Sequence, residues 1–170
     1  LQAIKEKKDF KNIPNLTYRD GGDGIRVNPL TYVPENLDHI TIDYGHIMKK
    51  AVRYVDPTGY QPFINWYTYP VTAVFTCRGC IYHCNTCGGS SQTFQSMANR
   101  RRPAYRDPKL LAQDIFNISD HLRAPVMVIG DIFQPGEEYS FTFLQEMKKR
   151  PITNHIAFEF FVPPSRSRLE

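Results

Sequence analysis

All four cysteines of the chain lie between Val71 and Ser91, in the stretch VTAVFTCRGCIYHCNTCGGSS. Crowding of this kind constrains the chain strongly. Thiols so close along the backbone staple little chain together as disulfides, but they turn readily toward one metal centre. Cys80, Cys84 and Cys87 follow one another with three and then two residues between them. A compact loop can point side chains at such spacings inward without help from distant chain, and three thiolates suit a cubane cluster with one iron left open.

The spacing also separates the metals. Structural zinc is usually held by two close pairs of ligands with a long stretch between them, each pair making its own turn. Here only Ile81, Tyr82 and His83 separate Cys77/Cys80 from Cys84/Cys87. A ferredoxin-type run needs a fourth cysteine at its own spacing, often followed by proline, whereas Gly88 and Gly89 follow Cys87. A four-cysteine zinc-binding module or an iron–sulfur electron-transfer module is the alternative reading, and it requires Cys77.

The segment TCRGCIYHCNTCGGS resembles the cluster-binding loop of the radical S-adenosylmethionine enzymes. Its Thr-x-Arg-Gly lead-in to Cys80 is similar to the branch that carries a cobalamin-binding domain ahead of the radical barrel. The stretch IPNLTYRDGGDGIRVNP likewise resembles the segment following that domain. The resemblance implies that Cys80, Cys84 and Cys87 hold a four-iron four-sulfur cluster whose open iron binds S-adenosylmethionine, and it leaves Cys77 out. It implies reductive cleavage of that cofactor to start radical chemistry, with cobalamin-dependent methyl transfer among the outcomes. A small-molecule substrate and a reductant such as flavodoxin or ferredoxin are implied with it. One departure is Thr86, where the family commonly has an aromatic residue before the third cysteine.

Composition agrees with an ordinary globular chain. Of 170 residues, 41% are hydrophobic and 22% charged, enough for a domain with a real core. Neither a membrane span nor a signal peptide is expected, which makes the cytoplasm the default compartment. The net charge of +4 is mild, and Arg100, Arg101 and Arg102 form the one dense basic run. It is read as a solvated loop before a helix. With no interleaved aromatic and basic platform, nucleic acid is not an expected partner. The terminal Leu169-Glu170 is read as a vector remnant.

The expected fold class is α/β. Residues 1–70 read as a linker with a β-hairpin and a helix, and 71–168 as the first half of a partial barrel. The hairpin spans Leu16 to Val27 around an Asp/Gly-rich turn, and the helix runs from about Asp43 to Arg53. The aromatic cluster Tyr60, Phe63, Trp66, Tyr67 and Tyr69 reads as packing at a junction. Strands are expected at Val71–Thr76, Val126–Ile132 and His155–Val162. Asp107 and Pro108 start a helix whose buried stripe is Leu111, Ile115, Ile118 and Leu122, and Ser140 caps a second helix. Strands alternating with helices predict parallel pairing with right-handed crossovers, and chemistry at the strands' C-terminal ends. The resemblance turns this sheet into a barrel half, and its unpaired edge predicts a homodimer.

Further residues are assigned beside the cysteines. The resemblance places Gly130 and Asp131 near the methionine part of the cofactor, the glycine admitting a ligand closely and the aspartate accepting from an ammonium. The plain alternative is an aspartate that ends a strand. Glu159, in an otherwise apolar strand, either faces the cofactor or pairs with an arginine. Gly88 and Gly89 let backbone approach cluster or cofactor, or merely close the loop. His83 is a fourth ligand, a hydrogen-bond donor to the centre, or simply exposed.

Overall fold

The computed structural model describes residues 2–6, 8–22, 24–40, 42–54 and 71–169. The aromatic cluster from Tyr60 to Tyr69 lies outside the described residues. In chain order the elements are α1 (Gln2–Lys5), a 3-10 turn (Phe10–Asn12), β1 (Thr17–Asp20), β2 (Gly24–Val27), α2 (Tyr44–Tyr54), β3 (Thr72–Phe75) and β4 (Cys77–Arg78). They continue with α3 (Ser91–Ala98), β5 (Ala104–Tyr105), α4 (Pro108–His121), β6 (Val126–Ile129), α5 (Glu137–Lys148), β7 (Ile156–Phe158) and α6 (Arg166–Leu169). Two compact units interleave along the chain: Leu1–Glu35 with Gly79–Pro103, and Asn36–Arg78 with Ala104–Glu170. The sequence suggests a single cut between residues 70 and 71, because a segment that leaves a unit and returns leaves no compositional mark.

The first unit contains the expected hairpin. β1 and β2 pair antiparallel with Thr17 opposite Val27 and Asp20 opposite Gly24, and Arg26 forms an ion pair with Asp20 across the turn end. Ile25 and Val27 are nonetheless exposed, so the ribbon is held by its neighbours. Asn28 donates its side-chain amide to the carbonyls of Phe10 and Ile13 at 2.5 and 2.7 Å, and the Phe10 and Tyr18 rings meet edge to face. The helix α3 begins where Ser90 accepts from the Thr93 N–H at 3.3 Å, an N-cap that satisfies an orphan donor. It ends at Asn99 in the left-handed region, φ 49°, a role asparagine takes readily. The Asn99 amide then donates to Leu30 O at 3.2 Å, tying the helix end to the segment after the hairpin.

The second unit is mixed α/β and built on a three-stranded parallel sheet in the order β3-β6-β7. Val74 stands opposite Val128, and Val128 opposite Phe158. Val74, Val126 and Val128 point to one face and pack with Leu111, Ile115, Ile118 and Phe143 of α4 and α5, all essentially buried. Leu111, Ile115 and Ile118 are three of the four residues of the expected stripe, while Leu122 lies past the helix end as its extended C-cap and is only half-buried; Asp107 caps α4 by accepting from Lys109 and Leu110 N–H at 2.8 and 3.3 Å, with Pro108 at its first position. Alternate residues on the other face are open: Phe75 is 55% and Met127 39% exposed. Buried parallel sheets normally have both faces covered, so this sheet has one helical layer where a closed barrel would enclose the other face.

Several boundaries differ from the sequence reading. The second and third strands stop at Ile129 and Phe158, short of Ile132 and Val162. Gly130 turns the chain away at φ +92°. Ser140 is not a cap, because α5 starts earlier, after Gly136 at φ +117°. Glu137 and Glu138 suit the positive end of the helix, and the Ser140 hydroxyl donates to Glu137 O at 2.8 Å inside the first turn. Arg100 is buried, at 6% exposure, whereas Arg101 and Arg102 are exposed as expected. Among the described residues no helix is long and apolar enough to cross a membrane.

Candidate metal centre

The loop bearing Cys80, Cys84 and Cys87 belongs to the first unit. It opens at Gly79, φ +110°, where a Cβ would lie 3.1 Å from Pro103 Cα and 3.2 Å from Arg100 Cδ. A side chain would meet backbone there, so the entry to the loop requires glycine. Successive turns then fold the loop on itself. Cys87 N–H donates to Cys84 O at 3.2 Å, and Ser90 N–H to Cys87 O at 3.1 Å. Ser91 N–H reaches back to Tyr82 O at 2.9 Å, and the Thr93 hydroxyl donates to Cys87 O at 3.4 Å. The first turns of α3 are thus fastened onto the loop.

Two of the sulfurs already accept backbone hydrogen bonds. Tyr82 N–H points at Cys80 Sγ at 3.4 Å, and Gly89 N–H at Cys87 Sγ at 3.3 Å. Backbone donors directed at sulfur tune the electronics of a metal that the sulfur binds. All four cysteines are free thiols; Cys80 is half-buried, and Cys84 and Cys87 are exposed. Of the two candidate glycines, Gly89 acts through its N–H, while a Cβ on Gly88 would meet only open space. Among the described residues no three His, Cys, Asp or Glu side chains stand grouped to hold an ion. Thiols are the donor type that soft metals take, but as folded the three do not converge, and they would have to turn inward to share one.

His83 is exposed, and its ring is oriented. Its Nδ1 lies 2.9 Å from Ser91 Oγ, a partner at the start of α3. The sequence reading missed both this pair and α3 itself. The Ser90-to-Thr93 spacing was the available cap signal.

Cys77 occupies a different setting, in the second unit. It sits in β4 opposite Tyr105, with Sγ 3.9 Å from Gln134 Oε1. The Tyr105 hydroxyl donates to the same oxygen at 3.3 Å. Nearby, the Tyr139 hydroxyl is buried without a hydrogen-bond partner. Burial, reinforced by Cys77, Asp107 and Asp38, holds its ionisation well above the usual phenol range.

The structure brings Gly130, Asp131 and Glu159 together at the C-terminal ends of β6 and β7. Gly130 N–H donates to Glu159 Oε2 at 2.9 Å. Asp131, 5% exposed, accepts from Phe133 N–H at 2.8 Å through Oδ1 and from Phe161 N–H at 3.1 Å through Oδ2. Both oxygens therefore hold backbone, the arrangement of an aspartate that ends a strand. Glu159 takes its bond from Gly130, and among the described residues no arginine pairs with it.

Gly130 itself is fixed by sterics. A Cβ there would run into Thr76 Oγ1 and lie 3.2 Å from Cys77 Sγ. Compared with protein-family models, with curated proteins and with solved structures, the chain matches none.

Proposed function

We propose that this chain is the cluster-bearing part of a radical S-adenosylmethionine enzyme, with Cys80, Cys84 and Cys87 as the thiolate ligands. One observation carries the reading: three free thiols at this spacing share one folded loop, and two of them already accept backbone N–H groups. When bound, the four-iron four-sulfur cluster supplies the electron that cleaves S-adenosylmethionine. Gly79 sets the loop's entry, and Gly89 donates to the Cys87 sulfur. In the second unit Glu159 is the residue we assign to a ligand's ammonium, since Gly130 N–H engages only its Oε2. Asp131 supports that carboxylate's surroundings by fixing the turn after β6. The parallel sheet with one helical layer is the architecture from which a partial barrel would be continued. Cobalamin and methyl transfer belong to the same proposal through the Thr-x-Arg-Gly lead-in.

The test is anaerobic reconstitution with iron and sulfide, followed by low-temperature electron paramagnetic resonance of the reduced protein with and without S-adenosylmethionine. A cluster signal that changes when the cofactor is added supports an open iron. A signal indifferent to it, or a colourless zinc protein, overturns the reading.

A further inference from the structure

We propose that Cys84 and Cys87 close into a reversible disulfide in the metal-free chain, a redox gate that decides whether the cysteine loop can take up metal. The gating role rests on the reading that both are metal ligands; the disulfide itself does not. Among the described residues no three donors stand grouped, yet the fold closes a turn around two of the thiols. Cys87 N–H donates to Cys84 O at 3.2 Å, with Asn85 and Thr86 at the corners. A turn closed between its first and fourth residues brings their Cα atoms within about 7 Å, and a disulfide spans roughly 4.4 to 6.8 Å between the same atoms.

The turn is also held from outside. Ser90 N–H donates to Cys87 O at 3.1 Å, and the Thr93 hydroxyl donates to the same oxygen at 3.4 Å. The backbone is in place before any sulfur moves, so closure asks for rotation of two side chains. Both thiols are exposed, within reach of a dissolved oxidant. The other two cysteines are placed differently. Cys80 is half-buried with its Sγ accepting from Tyr82 N–H at 3.4 Å, and Cys77 is half-buried in β4, opposite Tyr105.

The oxidant is a small disulfide of the glutathione type. One thiolate of the pair attacks a glutathione sulfur, the S–S bond breaks, and one glutathione leaves as its thiol. The second protein thiolate then attacks the mixed disulfide at the protein sulfur and displaces the other glutathione. Two electrons pass to the reagent, and the two protein protons end on the two glutathione thiols. An exposed disulfide is of the labile kind that thiols reduce again. While it stands, two of the three thiolate ligands are withdrawn.

The experiment equilibrates the reduced, metal-free protein anaerobically with oxidised glutathione, blocks the remaining thiols by alkylation and maps the cysteines by fragmentation mass spectrometry. The expected product carries one internal disulfide, Cys84–Cys87, with Cys77 and Cys80 alkylated. Offered iron and sulfide before alkylation, it should take up about tenfold less iron than the reduced chain, for want of thiolate donors, and dithiothreitol should restore uptake. Cys80→Ser should still form the disulfide, whereas Cys84→Ser should stop at a glutathione adduct. Stable adducts without an internal bond in the wild type, or pairing through Cys77 or Cys80, overturn the proposal. Undiminished iron uptake by the oxidised chain overturns the gate. If the reduced chain itself takes up no iron, the metal reading fails and the gate with it, while the mapped disulfide stands.

Discussion

The guanidinium of Arg106 forks onto the carboxylate of Asp114, Nε to Oδ2 at 2.9 Å and Nη2 to Oδ1 at 3.0 Å. Arg106 is almost wholly buried, at 5% exposure. Its Nη1 also donates to Leu37 O at 2.8 Å, and its backbone N–H to Thr76 O at 2.8 Å. One residue thus joins the segment at Leu37, the exit from β3 and the body of α4. Removing Asp114 strips the buried cation of its forked partner and leaves only Asp38, 4.0 Å from Nη1, the costly way to break such a pair. Asp114→Ala should lower the unfolding free energy by about 3 kcal/mol, read from the midpoint of urea denaturation. A loss below ~1 kcal/mol would mean that the pair behaves as an exposed one.

Gly130 and Gly136 both have positive φ, +92° and +117°, but their surroundings differ. At Gly130 an added methyl meets Thr76 Oγ1 and the Cys77 sulfur; at Gly136 it meets nothing. Gly136→Ala therefore carries backbone strain alone, about 1 kcal/mol. Gly130→Ala carries strain and collision together and should cost more than ~3 kcal/mol. Thermal melts of the two variants separate the terms. Equal shifts would show that the space beside Thr76 opens freely.

Much of the second unit was legible because its signals are local. Asp107 and Pro108 announce the start of α4, and Leu111, Ile115 and Ile118 mark the face that the structure buries. The apolar runs at Val74 and Val126 likewise read directly as buried strands. The cysteine spacing was legible for a similar reason, since all three residues lie within one loop.

What escaped depends on distant chain or weak pattern. SQTFQSMA in α3 has no buried residue and so no stripe to read. β4 and β5 are two residues each, defined by pairing with one another. Arg100 looked solvated because nothing in a triple arginine says which one is buried. Glu159 was noticed as a carboxylate in an apolar strand, but its partner is a backbone N–H, which no side-chain pattern reveals.

Alkaline pH should expose Tyr139. Burial, then the neighbouring negative groups, hold its ionisation above the usual phenol range. The folded chain therefore keeps the proton after the unfolded chain has released it. Below about pH 10, the unfolded phenol's range, both states are protonated and the stability is fully present. Above it the unfolded state binds fewer protons, and stability falls by about 1.4 kcal/mol per pH unit toward the folded value. Tyr44 is raised in the same direction, chiefly by burial, and adds to the slope. Tyr139→Phe should flatten the decline and, because the buried hydroxyl has no partner, leave neutral-pH stability unchanged or raise it by about 1 kcal/mol. Urea midpoints across the alkaline range measure both; an unchanged slope would place the titration elsewhere.

The cysteines should divide three to one. A thiolate on iron gives soft, charge-donating ligation that neither alanine nor serine replaces. Cys84 is exposed in the loop of the first unit, so its removal disturbs no core packing. Loss of metal on Cys84→Ala therefore reports ligation and not unfolding. Cys77 sits in β4 beside Gln134, where alanine leaves a small gap costing about 1 kcal/mol. After identical anaerobic reconstitution, Cys84→Ala should lose the brown absorbance and most of its iron, while Cys77→Ala keeps both. Colour and iron per chain decide the matter. If Cys77→Ala is the variant that bleaches, all four thiols serve the metal, and the zinc or electron-transfer module replaces the radical enzyme as the reading of this loop.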